Sequence, residues 1–474
     1  VLQQSERQDN SFGFVAMNAA QKQNVGTLWC NGLGFPLITQ NRQFFGGVGK
    51  NESLQDLTFR GGSSIDNQVS QGKQSFQKQW SFSPQGHLLF FGFDLAKLKL
   101  ERPTYAYHQG HLRERVRNYR KEIAALSRLP VLVHYACKAN SQSEILKTLQ
   151  EEGLGADVVS GGELRKALQA GFSPQSIVFS GVGKTTEELN LAIRKQILQI
   201  NIESLPELER LGRLAREARK KVGVALRLNP AVNPKTHPYI ATGFRENKFG
   251  LEMRQLREAC RSIRANPFLH FRGLSLHIGS QLFDFTALSE AIELVLQETA
   301  TLQRHDLSLL SLDVGGGVGI NYEKSAEQTD AKVLRSFLKA AKGALRGFDG
   351  VVSVEPGRYL VARAGALMMQ VQYLKTTSHK RFVITNSGMN HLLRPALYQA
   401  RHRILPVQNR PGRAQVWDVV GPVCESADVL ASGVRLPPVK EGDWLAVSDV
   451  GAYGYTMASS YNSFALPDQI LIKD

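Results

Sequence analysis

Cysteine is scarce in this chain. Four residues (Cys30, Cys137, Cys260 and Cys424) are scattered over 474 positions with no CxxC pair. That spacing argues against a disulfide scaffold or a zinc site and for a reducing compartment. Long apolar runs are also missing, so no segment has the length to cross a bilayer. The opening VLQQSERQDN lacks the pattern of a secretory signal. Acids are in short supply, with 42 Asp and Glu against 58 Lys and Arg, a net charge of +16. A nucleic-acid surface would use that balance, and so would a site that attracts a polyanionic small molecule. The basic residues are spread, as in RERVRNYRKE (113–122) and REARKK (216–221), with acids interleaved on helices. No nucleic-acid motif accompanies them, which favours the small molecule and no nucleic-acid partner.

Residues 1–85 are rich in Gln, Asn, Ser and Gly, with seven Lys/Arg and five Asp/Glu. They read as a disordered leader without a core pattern. A transit peptide is the alternative, since acids are few and Ser is common, although Arg is not enriched. From His87 the texture changes. HLLFFGFDL (87–95) looks ordered, and RPTYAYHQ (102–109) alternates like a strand. Residues 86–110 are expected to join a later β domain. HLRERVRNYRKEIAAL (111–126) then places Leu112, Val116, Tyr119 and Ile123 at helical spacing.

A regular alternation follows. Strand candidates fall at 131–139, 156–160, 176–181, 198–204, 224–230, 271–280, 309–317 and 351–358. Amphipathic helix candidates lie between them, at 142–152, 161–170, 185–195, 205–221, 252–265, 285–304 and 330–346. Eight strands with intervening helices make an α/β (β/α)8 TIM barrel over 111–358, with an open doubly wound sheet as the alternative. Beyond Arg358 the strand candidates 366–376, 381–388, 415–422, 443–451 and 469–474 have few helices between them. Residues 359–474 are therefore expected to form an all-β domain.

The chemistry sits where the barrel strands end. Lys138 closes the run VLVHYACKAN (131–140). Alone it would be read as a surface lysine, yet its amine could attack a carbonyl if desolvation or neighbours lower its pKa. Strand six ends in His277 and Ser280, strand seven in Gly315, Gly316 and Gly317, and strand eight in Glu355 and Arg358. Each has a bland reading by itself: a core histidine, a tight turn, a turn carboxylate. Together on one barrel mouth they suit pyridoxal 5'-phosphate. The lysine would hold the aldehyde, the glycine backbone the phosphate, and the imidazole the ring face. A carboxylate at the pyridine nitrogen keeps it protonated, which favours a carbanion and hence decarboxylation.

HYACKAN, SGGEL, HPYIATG…KFG, LHIGSQ, LDVGGGVGI, EPGRYLV, RPALY, GPVCESAD and GAYGYTMASSYN occur in that order between about Arg102 and Ser463. In these motifs the chain resembles the diaminopimelate decarboxylase family, pyridoxal phosphate enzymes of the alanine-racemase-like barrel group. The resemblance implies conversion of meso-2,6-diaminopimelate to L-lysine and CO2, the last step of lysine biosynthesis, with no metal. It makes Lys138 the lysine that carries the cofactor, His277 the stacking ring and Glu355 the partner of the pyridine nitrogen. Ser280, Gly315 to Gly317 and Arg358 would serve the phosphate region. Arg358 is also a candidate for a substrate carboxylate. Arg394 and Tyr398 would bind the distal end of the substrate, Glu425 its distal ammonium, and Tyr453 both cofactor and substrate. Cys424 would be the proton donor. The family also implies a homodimer in which the β domain lends a loop to the partner's barrel. A cytoplasmic location follows, or a plastid if the leader is a transit peptide. A decarboxylase of ornithine, arginine or a carboxylated polyamine is the alternative activity, and a non-catalytic pyridoxal phosphate-binding homologue the alternative class. Retention of Lys138, Cys424 and Glu355 argues against the latter.

Overall fold

The structure is a computed structural model and describes residues 79–126, 129–233, 242–243, 247–322 and 327–473. Residues 1–78 and 237–241, the first five positions of the HPYIATG motif, lie outside the described residues.

Three short strands come first: β1 (Trp80–Phe82), β2 (Leu88–Phe90) and β3 (Phe93–Asp94), paired antiparallel in sequence order. They begin inside the stretch expected to be leader, so the expected boundary at 85 is too late. Trp80 stacks on Phe90 with ring centroids 4.5 Å apart. Gln79 is buried, and its Nε2 donates to Asp449 Oδ1 at 2.7 Å and to the Arg363 carbonyl at 3.0 Å. Gln79→Ala would remove a donor from a buried carboxylate, a loss of about 1–3 kcal/mol. We expect a lowered midpoint in thermal denaturation for Gln79→Ala. A truncation ending at residue 78 should keep the wild-type midpoint, and equal midpoints for all three proteins would contradict this role.

Next come β4 (Thr104–His108) and α1 (Gln109–Leu126). The barrel strands are β5 (Val131–Ala136), β6 (Gly155–Val158), β7 (Ile177–Phe179), β8 (Gln199–Ile202) and β9 (Val222–Asn229). After a two-residue β10 (Leu251–Glu252) come β11 (Leu269–Ser275), β12 (Ser311–Asp313) and β13 (Val351–Val354). Every neighbouring pair from β5 through β9 and β11 to β13 is parallel. Val352 to Val354 of β13 then pair with Val131 to Val133 of β5. That last register closes the ring and excludes the open sheet.

The helices between the strands are α2 (Ser143–Glu151), α3 (Gly161–Gln169), α4 (Thr186–Lys195), α5 (Leu205–Glu217), α6 (Leu256–Arg264), α7 (Thr286–Gln297), α8 (Thr299–Gln303) and α9 (Glu327–Ala344). Their starts follow from capping chemistry. Ser160, Thr185 and Ser204 each accept the backbone N–H of a glutamate three residues on. Helix α5 buries Leu208, Leu211, Gly212 and Ala215, one face at a spacing of three and four. Among the described residues no helix is long and apolar enough to cross a membrane.

A single turn, α10 (Arg358–Val361), leads into the β domain. It comprises β14 (Gly365–Thr376), β15 (Arg381–Thr385), α11 (Arg394–Tyr398), β16 (Ile404–Pro406), β17 (Gln415–Val420), β18 (Val429–Leu436), β19 (Trp444–Val447) and β20 (Asp468–Ile472). The sheet runs β16-β19-β14-β15-β17-β18, and β4 lies antiparallel to β14 and parallel to β20. The piece before the barrel is thus part of this domain's sheet. Strands β16 and β18 were not among the expected strands. β16 is three residues long and ends in proline, and β18 has Ala-Ser-Gly at its centre, where periodicity fades. Buried Arg363 ties the two domains together. It donates to Asp330 of α9 at 2.6 and 3.0 Å and to Asp449 after β19 at 3.3 Å.

Candidate active site

β5 delivers the chain to the barrel rim, where a 3-10 turn, Cys137–Ala139, carries Lys138. The β domain clamps this turn. Asn140 Nδ2 donates to the Gly451 carbonyl at 2.9 Å, and the Tyr453 N–H donates to the Ala139 carbonyl at 2.8 Å. Lys138 lines a cavity of about 460 Å³. Its Nζ lies 3.9 Å from Oδ2 of fully buried Asp157, at the end of β6.

Burial pulls the Lys138 pKa down, but Asp157, Tyr453 and Glu355 pull harder the other way and leave it above the ordinary lysine value. The expected condition, a pKa lowered by desolvation or neighbours, is therefore not met in this structure, because acidic groups from other parts of the chain face the amine. As an ammonium, Lys138 must pass a proton on before it can attack an aldehyde. Asp157, 3.9 Å away, is placed to accept that proton, and other acids lie near. Burial raises Glu355 well above the carboxylate range, with Asp157 and Asp313 adding to the effect. Burial likewise raises Asp157, and it pushes Asp313 up to about 6. Burial thus makes Glu355 a better proton holder than an exposed glutamate, suited to share a proton with a basic group placed against it.

His277 lines the same cavity. Burial, then the Lys138 and Arg227 charges, hold it well below its ordinary value, so it offers a neutral flat ring. The glycine run explains its room. Gly315 has φ +68°, and a Cβ there would stand 2.6 Å from His277 Nδ1. Gly317 has φ +94°, and a Cβ there would stand 2.3 Å from the Gly279 carbonyl oxygen. Of the three glycines only Gly317 lines the cavity; Gly315 and Gly316 pack behind it, on His277 and the Glu355 carbonyl.

Two arginines enter from the other side. Arg358 donates from Nη1 to Tyr322 Oη at 2.7 Å and from Nη2 to Ser280 Oγ at 3.1 Å. Arg394 sets its Cζ 4.5 Å from the Tyr322 ring centroid and donates from Nη1 to His402 Nε2 at 2.8 Å. Both side chains are buried, and neither Nε has a hydrogen-bond partner. No carboxylate among the described residues pairs with either one. Burying a cation without an anion costs several kcal/mol. The cavity is therefore built to receive at least one anionic group, and two guanidiniums suit a phosphate and a carboxylate. Pyridoxal 5'-phosphate fits this donor set, with a lysine for its aldehyde, a buried glutamate for its ring nitrogen and an arginine with Ser280 for its phosphate.

The cavity thus gathers Lys138, His277, Ser280, Gly317, Glu355, Arg358, Arg394, Tyr398 and Tyr453. Cys424 and Glu425 are not brought to it. They lie in the loop between β17 and β18, with Cys424 exposed and Glu425 accepting from Tyr461 Oη at 2.7 Å. Sequence reasoning missed Asp157, Arg227, Tyr322 and His402. Asp157 and Arg227 carried a signal, as each is a lone charge inside an apolar strand.

Residues 109–362 match the family model described as pyridoxal-dependent decarboxylase, pyridoxal binding domain. Diaminopimelate decarboxylase of Aquifex aeolicus is 39% identical over 391 residues, 82% of this chain and 91% of that one. The Pseudomonas fluorescens enzyme of the same name is 42% identical over 371 residues, 78% and 87% of the two chains. This chain belongs to the diaminopimelate decarboxylase family. A solved Helicobacter pylori diaminopimelate decarboxylase, complexed with L-lysine, superposes with a TM-score of 0.74 at 38% identity, over 79% of this chain and 92% of that one. An arginine decarboxylase from Paramecium bursaria Chlorella virus, 21% identical with a TM-score of 0.70, shares the fold. The matched pyridoxal binding domain spans the barrel, and the family's cofactor, pyridoxal 5'-phosphate, suits the donor set of the cavity.

Proposed function

We propose that the chain decarboxylates meso-2,6-diaminopimelate to L-lysine and CO2, the last step of lysine biosynthesis. The observation that carries this reading is Arg394, a buried cation without a carboxylate partner in the cavity that holds Lys138. Diaminopimelate has an amino-acid group at each end, and only one end reacts. The other end brings a carboxylate for Arg394. Ornithine and arginine bring none, and would leave the cation buried without an anion.

The bound cofactor supplies an electron sink for the carbanion left by CO2. The chain's residues do the rest. Lys138 would hold the cofactor's aldehyde carbon, Glu355 would keep a proton at the pyridine nitrogen, and His277 would pack on the ring face. Arg358, Ser280 and the glycine run around Gly317 would bind the phosphate. Tyr398 and Tyr453 wall the substrate in. Cys424 would deliver the proton at the reacting carbon, and Glu425 would bind the distal ammonium. Both lie on an exposed loop outside their own chain's cavity, so their roles need a second copy. We place them in the partner's cavity, in a two-fold homodimer with two shared sites. The three cysteines among the described residues are free thiols, which suits a cytoplasmic or plastid setting.

Purified protein supplied separately with meso-diaminopimelate, ornithine and arginine tests the assignment. CO2 and lysine should appear with the first, and the other two should give little CO2. Faster release from ornithine or arginine would overturn it, and no release from any would favour a non-catalytic homologue. Arg394→Ala and Glu425→Ala should each lose about 2–4 kcal/mol in kcat/KM while retaining cofactor. An unchanged kcat/KM for Glu425→Ala would remove it from substrate binding.

A further inference from the structure

Arg394 projects into the cavity from α11, and what holds it there is His402. The Arg394 Nη1 donates to His402 Nε2 at 2.8 Å, while His402 Nδ1 lies 2.9 Å from the Ser448 carbonyl oxygen. A guanidinium only donates and a carbonyl only accepts. One tautomer satisfies both neighbours, with the proton on Nδ1 and the lone pair on Nε2. Burial, then the Arg394 charge, pushes His402 down to about 3, with Arg358 adding to this and the Ser448 carbonyl opposing it. The ring is therefore held neutral, with its Nε2 lone pair toward the guanidinium. Its edge meets the Tyr322 ring, with centroids 4.9 Å apart, and the same Tyr322 ring lies beneath Arg394. The Ser448 carbonyl is itself well anchored. The Ser448 hydroxyl donates to neighbouring Asp449, which also accepts from buried Arg363 and from Gln79.

We propose that His402, as the Nδ1–H tautomer, is a positioning residue that fixes the Arg394 guanidinium for the carboxylate at the distal end of the substrate. This rests on the reading of Arg394 given above. An unheld arginine would lose side-chain freedom on binding, whereas one already bonded to His402 and laid on Tyr322 presents its remaining N–H groups in place. His402 touches neither the reacting carbon nor the cofactor in this scheme. It acts through Arg394 and so governs which ligands bind.

Equilibrium binding of two diamines to the cofactor-loaded enzyme, read from the cofactor absorbance, tests this. L-Lysine keeps one carboxylate, and cadaverine has the same amines and none. Asparagine at 402 can keep the donor to Ser448 but offers Arg394 no acceptor, while glutamine can place an amide oxygen near the Nε2 position. Arg394→Ala and His402→Asn should each weaken L-lysine by about tenfold to a hundredfold and leave cadaverine unchanged. His402→Gln should recover most of the lysine affinity. With meso-diaminopimelate, His402→Asn should act mainly through KM. If Arg394→Ala shows the selective loss and His402→Asn binds lysine as wild type, the positioning role is overturned and the Arg394 reading stands. If Arg394→Ala itself fails to discriminate, the Arg394 reading falls. Equal weakening of both diamines in His402→Asn would make His402 merely structural and overturn the proposal. Should His402→Asn not fold, His402→Gln decides: retained preference for lysine supports the role, and lost preference contradicts it.

Discussion

Lys138→Ala is expected to leave no cofactor that borohydride can fix to the chain, and to lower decarboxylation by roughly a thousandfold or more. The geometry makes this a sharp test, because one other amine lines the cavity among the described residues. Lys248 also lines it, with Nζ 5.5 Å from the Phe249 ring centroid. Lys184 stands close by but is occupied, donating to the Gly181 and Asn201 carbonyls and to Glu207 at 2.6–2.7 Å. Lys138 lines the cavity with its Nζ 3.9 Å from fully buried Asp157, whose carboxyl pKa burial raises and so suits to take the amine's proton. Peptide mapping of the reduced wild-type protein should find the label on Lys138. Label on Lys248, or undiminished label in the alanine variant, would contradict the assignment.

The second large effect is a recovery. Lys138→Ala and Cys424→Ala should each be nearly inactive, and refolding them together should restore activity to about a quarter of wild type. Cys424 is exposed and outside its own chain's cavity, on the loop that follows β17. If that loop completes the partner's site, a mixed dimer has one doubly damaged site and one intact site. Random pairing makes half the dimers mixed, and each carries half the normal number of sites. The attraction of this arrangement is that an interface can keep water away from a carbanion and deliver a proton from one side. Demonstrated subunit exchange without recovered activity would mean that the cysteine serves its own chain.

Much of the fold was legible because the barrel repeats one unit. All eight strands lie within the expected runs or extend them by a residue or two, since apolar β-branched segments alternate with capped amphipathic helices. The strands that escaped, β16 and β18, are short or carry small residues at their centre, so tertiary pairing decides them. Gln79 and Trp80 escaped for a related reason. Their neighbours are polar and aperiodic, and only the distant partners Asp449 and Phe90 show that they pack.

The site divides in the same way. Residues at strand ends could be picked out from position, because the mouth of a barrel is where its strands stop. The acid cluster could not, as Asp157 and Asp313 face inward and their neighbours come from other strands. A lone charge within an apolar strand was the available signal, and Arg227 carried it as well. His402 had no such signal. It sits eight residues after Arg394, and its meaning comes from the Ser448 carbonyl on another strand's end. Cys424 and Glu425 were named only by family resemblance, and the single chain leaves them on its surface.

The most direct test of the whole account is an experimental structure of the cofactor-loaded protein with L-lysine bound. The cofactor phosphate should lie against Arg358, Ser280 and Gly317, and the lysine carboxylate against Arg394 with His402 behind it. A lysine carboxylate bound away from Arg394 would contradict the claim that this buried cation selects a substrate with a second carboxylate.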